Sequence, residues 1–514
     1  MLSRLYKITA IICAVVLLFS SCSGSKENEK TKVNSGGAIA LQMRIPDSLN
    51  PLDVKNQSVA DALSLCYEPL FTVNDKLEPE GILARSIILS DDCMSAIVTL
   101  KDSAKWHDGV KFTSADVVHT INLLKENKYT GYADCTKHIE SVQSIDPLSL
   151  KITLSRPYGQ IAYSLRFPIV ASHNVNIEEN IIGTGPYMAE RYSPAAELDL
   201  KRFEEWHGGE TLCDNITVWV IRDNETATSA FNTGKINAIT DKSYDLYNSS
   251  PRENARTTLY PSAEYEFLAF NHRRKPFNSQ AVRVAVSSAT DRMEIVREAY
   301  QMAANEVNSP IHPEASSVAS ASVASQYNLA NANEMLFLEG YFKNESTGIL
   351  EKKNGEKLSF TILVNEENPR RVKTAQILRT QLFAAGIEVY VKECSFEEYC
   401  AKISRGEYDA YLGGTMLSNL YDFEMLFSED GNLNKFGYES EFMGLALSAL
   451  SCAPTSDSLK DATANFEEIF LREQPVCGLL YKKSTLITSE NIMGKLMPAM
   501  GFPYGNIARW SIKK

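Results

Sequence analysis

Residues 104–124 read AKWHDGVKFTSADVVHTINLL, and the fold assignment turns on this stretch. Asp108-Gly109 favours a tight turn, because glycine accepts positive φ and aspartate caps its own backbone. Thr113 follows as a helix N-cap with Asp116 three residues on, the spacing of a capping box. Phe112 and Val117 occupy the hydrophobic-staple positions on either side. Val117, Val118, Ile121 and Leu124 recur at helical spacing and form one apolar stripe, with Lys125 and Glu126 left to solvent. The pattern predicts strand, turn and capped helix.

Working outward, residues 148–154 alternate strictly after an Asp146-Pro147 turn, the signature of a half-buried strand. Residues 38–43 read as a first strand. Residues 216–221, a helix capped by Asp223 and ended by Gly234, and residues 236–239 read as a βαβ unit. From Leu358 onward the alternation is clearest: a strand through Val364, a helix near 371–385 capped by Gly386, and a strand over 387–391. A second capping box follows at Ser395 and Glu398, then a strand over 408–412. Such alternation implies a parallel, right-handed, doubly wound sheet, in which ligands sit beyond the carboxyl ends of the strands. The last of these strands is expected to end at Gly413-Gly414-Thr415, which would place residues 415–421 in a cleft. A helix near 461–471 and a strand over 476–481 close the pattern, and residues 316–325, SSVASASVAS, are low in complexity.

Trp106-His107-Asp108-Gly109, Phe112-Thr113 and Asp116-Val117-Val118, in this order, resemble the family 5 extracellular solute-binding proteins, the oligopeptide-, dipeptide- and nickel-binding components of ABC importers. Ser48-Leu49-Asn50-Pro51-Leu52 is similar to the family's Thr-Leu-Asn-Pro-Leu. Residues 60–70, ADALSLCYEPL, resemble a family helix that ends at a Tyr-Glu-Pro-Leu corner, where Pro69 would stop it. Gly183-Thr184-Gly185-Pro186-Tyr187 matches the family's return to its first lobe; by itself it is a glycine turn before a strand, since no GxGxxG or P-loop lysine follows. Ala269-Phe270-Asn271, Lys275-Pro276-Phe277-Asn278, residues 282–286 and Asp291-Arg292 resemble the motif that opens the second lobe.

The resemblance implies an α/β, two-lobed fold of the periplasmic-binding-protein type, with mixed doubly wound sheets, a hinge and an extra inserted domain. Residues 38–70, 183–264 and 486–514 would form the first lobe, 71–182 the inserted domain and 265–485 the second lobe. Such a protein closes over a solute and presents it to a membrane permease, with no cofactor and no metal of its own, as a monomer.

Arg4 and Lys7 precede an apolar run, residues 8–19, too short to span a membrane and laid out as a secretory signal. Residues 18–22, LFSSC, look like a bacterial lipobox with Phe19 in place of the usual leucine, so residues 1–21 are expected to be removed and Cys22 to carry lipid. Residues 22–37 are polar, lack aromatics and suit a flexible tether. The remaining body is long enough for two or three packed units. With 52 basic and 64 acidic residues the net charge is −12, which argues against nucleic acid as a partner. Eight cysteines lie beyond Cys22 without CxxC or zinc-knuckle spacing; disulfides and buried free thiols are both open readings, and Cys394 and Cys400 are the closest pair.

His107, Asp108 and His119 invite a metal reading, but one precedes the turn and another lies in the helix, a poor ligand spacing. There is no HExxH and no GxSxG, and an enzyme survives only as an unrecognised hydrolase. Peptide carriers of the family hold the peptide's amino terminus with a Trp-x-x-Asp stretch. The residues here are Thr415-Met416-Leu417-Ser418, so Asp422 or Glu424 would have to substitute. Thr415, Met416, Ser418, Asn419 and Tyr421 are the ligand residues implied by the strand-end argument. Lys55, Asn56 and Gln57 correspond to a segment that pairs with peptide backbone, or form a solvated loop; Tyr132 and Tyr265 are aromatic wall residues or core packing. Peptide is the first ligand class, followed by nickel or metallophore complexes, sugars, other small solutes and a sensing role.

Overall fold

The computed structural model describes residues 36–126, 129–241, 253–315, 327–417 and 419–513. The expected signal peptide, Cys22, residues 316–325 and Ser418 lie outside the described residues, as does the tether apart from its end.

The capped helix spans Ser114–Lys125 with Thr113 as its N-cap. The Asp116 carboxylate accepts from the Thr113 amide at 2.9 Å, which is the returning half of the box. Its other oxygen accepts from the Ser172 amide and hydroxyl at 2.9 and 2.7 Å, so the cap also fastens a distant loop. Gly109 has φ +88°, the conformation the turn requires. Phe112, Val117, Ile121 and Leu124 are buried. This helix packs on an antiparallel sheet in the order Ala84–Leu89, Ser95–Leu100, Ser149–Leu154, Ile139–Asp146. Leu150, Ile152 and Leu154 face inward at every second position, as the alternation requires.

A second sheet pairs Ala38–Met43 in parallel with Asn215–Val220, then continues antiparallel through Glu197–Arg202 and Tyr187–Ser193. One continuous hydrophobic core joins this sheet to the first; it includes Trp106, Tyr67, Phe167 and Tyr187, and the C-terminal segment contributes Tyr504, Ile507 and Trp510.

The largest sheet runs Ala238–Asp241, Val476–Thr488, Arg256–Phe270, Ala410–Met416, Ser359–Asn365, Glu388–Cys394, with Ala304–Glu306 on the second of these. The stretch from Ser359 to Met416 is the parallel, alternating part; both pairings of Arg256–Phe270 are antiparallel, so the sheet is mixed. Its helices include Gln280–Ser288, Arg292–Tyr300, Pro369–Ala384 and Phe396–Arg405.

Several boundaries differ from the sequence reading. The expected βαβ unit does not form, because Ala238–Asp241 pairs antiparallel with Val476–Thr488 in a different sheet from Asn215–Val220. The helix expected over 60–70 spans Gln57–Leu63, started early by Asn56, whose side chain accepts from the Ser58 amide at 3.0 Å. The strand expected to end at Gly413-Gly414 continues to Met416 along Arg256–Phe270. These glycines make room rather than end the strand: a Cβ at Gly414 would meet the Glu266–Arg371 ion pair, and one at Gly413 the rings of Tyr411 and Phe267.

Candidate binding cleft

Two long strands, Arg256–Phe270 and Val476–Thr488, run side by side from one core into another. Tyr260 and Leu486 belong to the core of the two smaller sheets, whereas Ala263, Tyr265 and Tyr481 belong to a core of the largest. Between them the ladder slips: Pro261 faces Lys483 and Tyr265 faces Tyr481, so four steps along one strand oppose two along the other. Proline gives no amide hydrogen to a ladder and is tolerated at such a bulge. Two crossing strands broken by a bulge form a joint that can bend.

A cavity of about 310 Å3 lies against the bulge. Its floor is Tyr260, Pro261, Ser262, Ala263 and Glu264. One wall carries Gln57, Leu63, Tyr67, Tyr132, Tyr163 and Arg166, and the facing wall Met416, Leu417, Asn419, Asp422 and Met425. Most of these groups are apolar or neutral, with the charges set at a few points, the composition of a small-solute pocket. Arg166 donates to the Met500 carbonyl at 2.9 Å, and burial pulls its guanidinium below the ordinary value. Burial likewise pushes the phenol of Tyr132 up to about 12, so it stays protonated.

Beside the cavity the two walls touch through charges. Arg156 forms a two-pronged pair with Glu424 at 2.7 and 2.8 Å, both partly exposed. Asp422 meets Lys137 at 2.5 Å and His138 at 3.7 Å. Burial pushes the Asp422 carboxyl up, but hydrogen bonds and charge from His138 and Lys137 outweigh it and hold the group well below the usual carboxylate range. The acids that could have replaced the amino-terminus clamp are thus engaged by cations of the opposite wall. Asn419 Nδ2 contacts the Tyr158 hydroxyl across the same gap.

Of the residues expected from sequence, Gln57, Tyr132, Met416 and Asn419 line the cavity. Gln57 is steadied by Asp61, to which its amide donates at 2.8 Å. Lys55 is exposed and its amide donates to Asp47, while Asn56 is spent as a helix cap; neither is among the lining residues. Tyr265 is fully buried between Phe267 and Tyr481, with centroids 5.5 and 5.2 Å away. Thr415 is held in the ladder opposite Tyr265. Tyr421 lies behind the wall, edge-on to Tyr163 at 5.2 Å. Tyr163, Arg166, Lys137 and the bulge itself were not anticipated; a proline inside a long strand pattern was the available signal for the last.

The Trp106-His107-Asp108 triplet lies away from the cavity. His107 Nδ1 accepts from the Gly183 amide at 3.2 Å, which leaves Nε2 to donate to the Gly185 carbonyl at 3.0 Å. Burial lowers its pKa to about 4 despite that carbonyl, so the ring is neutral. Asp108 pairs with His173 at 2.7 Å. Among the described residues no group of three or more His, Cys, Asp or Glu is arranged to hold a metal, and the eight cysteines are free thiols.

The sequence pattern of the bacterial extracellular solute-binding proteins, family 5 Middle, matches residues 78–434. The chain belongs to this family. The oligopeptide-binding protein AppA of Bacillus subtilis (strain 168) is 24% identical over 538 residues, covering 98% of each chain. The glutathione-binding protein GsiB of Salmonella paratyphi A is 24% identical over 497 residues, covering 91% of this chain and 93% of the relative. Among solved structures, Bacillus subtilis AppA in complex with a nonapeptide superposes with a TM-score of 0.65 at 24% identity, over 94% of this chain and all of that one. NikZ of Campylobacter jejuni with Ni(L-His) gives 0.66 at 23% identity, over 93% and 99%. The fold of this family 5 chain is therefore the two-lobed binding-protein fold.

Proposed function

We propose that this family 5 protein captures a small peptide in the cavity at the bulge, closes two lobes over it and hands the closed complex to the permease of an ABC importer. The carrying observation is that one cavity draws its walls from both sides of the joint and its floor from the strands that make it. Residues 38–70, 183–264 and 486–514, with 71–182 inserted, would move as one lobe against 265–485. AppA and GsiB bind an oligopeptide and glutathione, a tripeptide, which favours peptide over other solutes. A volume near the lower end of the usual range of ligand pockets, roughly 300–1,000 Å3, suits a peptide of a few residues better than the nonapeptide of AppA. The role is binding rather than catalysis, without cofactor, by a monomer. Cys22 would carry the lipid that holds the body outside a bacterial membrane, on the tether 22–37.

Native mass spectrometry of the purified chain, followed by extraction of what it carries, tests the reading. A short peptide recovered unaltered, and thermal stabilisation on adding it back, are expected. Failure of every di-, tri- and oligopeptide pool to stabilise, with a nickel complex or sugar succeeding, would overturn the peptide assignment.

A further inference from the structure

Cys93 and Cys452 are 359 residues apart and meet where the antiparallel sheet touches the helical side of the largest one. Cys93 sits at the tip of the hairpin between Ala84–Leu89 and Ser95–Leu100 with φ +55°, and Cys452 is the last residue of the helix Glu441–Cys452. The Cys93 sulfur lies 3.3 Å from the main-chain oxygen of Cys452, and the Cys452 sulfur 3.8 Å from that of Pro157. Hydrogen bonds hold the two segments against each other: the Gly159 amide donates to the Ser451 carbonyl at 2.7 Å and Gln160 Nε2 to the Ala453 carbonyl at 2.9 Å, while the Tyr158 amide ties the same loop to the Cys93 carbonyl at 2.9 Å. A Cβ at Gly159 would strike the Ala453 carbonyl, so the approach is as close as two chains allow. Cys93 is buried, whereas Cys452 is partly exposed and within reach of a small reagent.

We propose that Cys93 and Cys452 form a reversible disulfide that locks this contact, driven by a low-molecular-weight disulfide of the glutathione class. The Cys452 thiolate attacks that reagent, breaks its sulfur–sulfur bond and releases one small thiol, leaving a mixed disulfide on Cys452. The Cys93 thiolate then attacks the Cys452 sulfur and expels the second small thiol. The two protein thiols lose two electrons and two protons, and the reagent is reduced to two thiols. Burial, and the neighbouring Cys452 and Asp92, raise the Cys93 thiol above its ordinary value, so the closing step accelerates as pH rises. A family of extracellular proteins works where such oxidants persist. Formation of the bond is independent of the binding reading; its consequence, that the lobes cannot part, rests on it.

The test is oxidised glutathione added to the purified chain at mildly alkaline pH, followed by proteolysis and mass spectrometry. A peptide pair joined through Cys93 and Cys452 is expected; it disappears with dithiothreitol and in Cys93→Ser or Cys452→Ser, but persists in Cys400→Ser. Should Cys93→Ser fail to fold, Cys452→Ser decides, because that thiol reaches the surface. Hydrogen exchange at the Gly159 amide should slow at least tenfold on oxidation and recover on reduction. Glutathione retained on Cys452 with no joined peptide would overturn the cross-link; a joined peptide with unchanged exchange at Gly159 would overturn the lock.

Discussion

Two seams of this protein are closed by the same device and differ in what they do with their polar groups. At the first, between the two smaller sheets, Gly183 and Gly185 let the main chain press against Leu65 and Cys66, where any Cβ would collide. At the second, beside the cavity, Gly159 admits Ala453 in the same manner. The first seam then buries its central groups, His107, Glu68 and Thr184: neutral His107 bonds both glycines, and Glu68 accepts from Thr184, Trp206 and His207 at 3.0, 3.0 and 2.8 Å. The second leaves Arg156, Glu424 and Lys137 partly wet, with Asp422 alone buried. Burying a charge has a large solvation cost that only full pairing offsets, whereas wet pairs part at little cost. A permanent junction can use the first kind; a reversible one needs the second.

The contrast can be broken most sharply at Gly183. Gly183→Ala should lower unfolding stability by about 3 kcal/mol, the upper range for overpacking, read as a fall in Tm. A loss within a few tenths would mean that the first seam yields freely. His107 offers the next largest effect. Its folded pKa of about 4 lies below the ordinary 6.5, so below pH 6.5 the unfolded chain takes a proton that the folded chain refuses. Stability therefore falls as pH drops through that window, by up to about 3 kcal/mol from this residue alone. Urea melts against pH should show a shallower slope in His107→Asn, with the remainder coming from His272 and His312, which burial lowers to about 3 and about 4.

At the reversible seam the effects should fall on affinity instead. Gly159→Ala is expected to weaken binding of the recovered solute about tenfold, by roughly 1.4 kcal/mol, while Tm without solute barely moves; calorimetry and thermal melts separate the two. Arg156→Ala should be smallest, a two- to fivefold loss from a half-exposed pair worth up to about 1 kcal/mol, together with a weaker dependence of affinity on salt. An equal fall in Tm would make the second seam as permanent as the first.

Local patterns were legible in the sequence because their causes are local. Thr113 with Asp116, Gly109 and the alternation of residues 148–154 act within a few positions, and the elements stand where those residues put them. What escaped depends on distant partners. Gly413-Gly414 reads as a strand end until Glu266 is seen paired to Arg371 at 2.7 Å and to Lys482 at 3.1 Å above it; burial raises that carboxyl and the two cations more than offset it. The strand Ala238–Asp241 looks like the close of a βαβ unit because nothing nearby announces its partner, Val476–Thr488. The same limit governs the cavity. Gln57 and Asn419 face it and Lys55 and Tyr265 do not, although each pair is equally plausible by type; which side chains turn inward is set by caps and by strand register.

The slipped register at Pro261 and Tyr265 lies in the cavity floor, so in the proposed closure the floor would be the pivot. Contacts made at a fulcrum travel very little when the jaws swing, whereas contacts outside the floor, such as Arg156–Glu424 and Gly159–Ala453, would travel more. A guest resting on Ser262 and Glu264 would therefore stay nearly in place through the whole stroke, and what it would change is the angle at which the jaws come to rest. Guests of different girth would set different angles, and the outer pairs would engage only for those slim enough to let the arms meet.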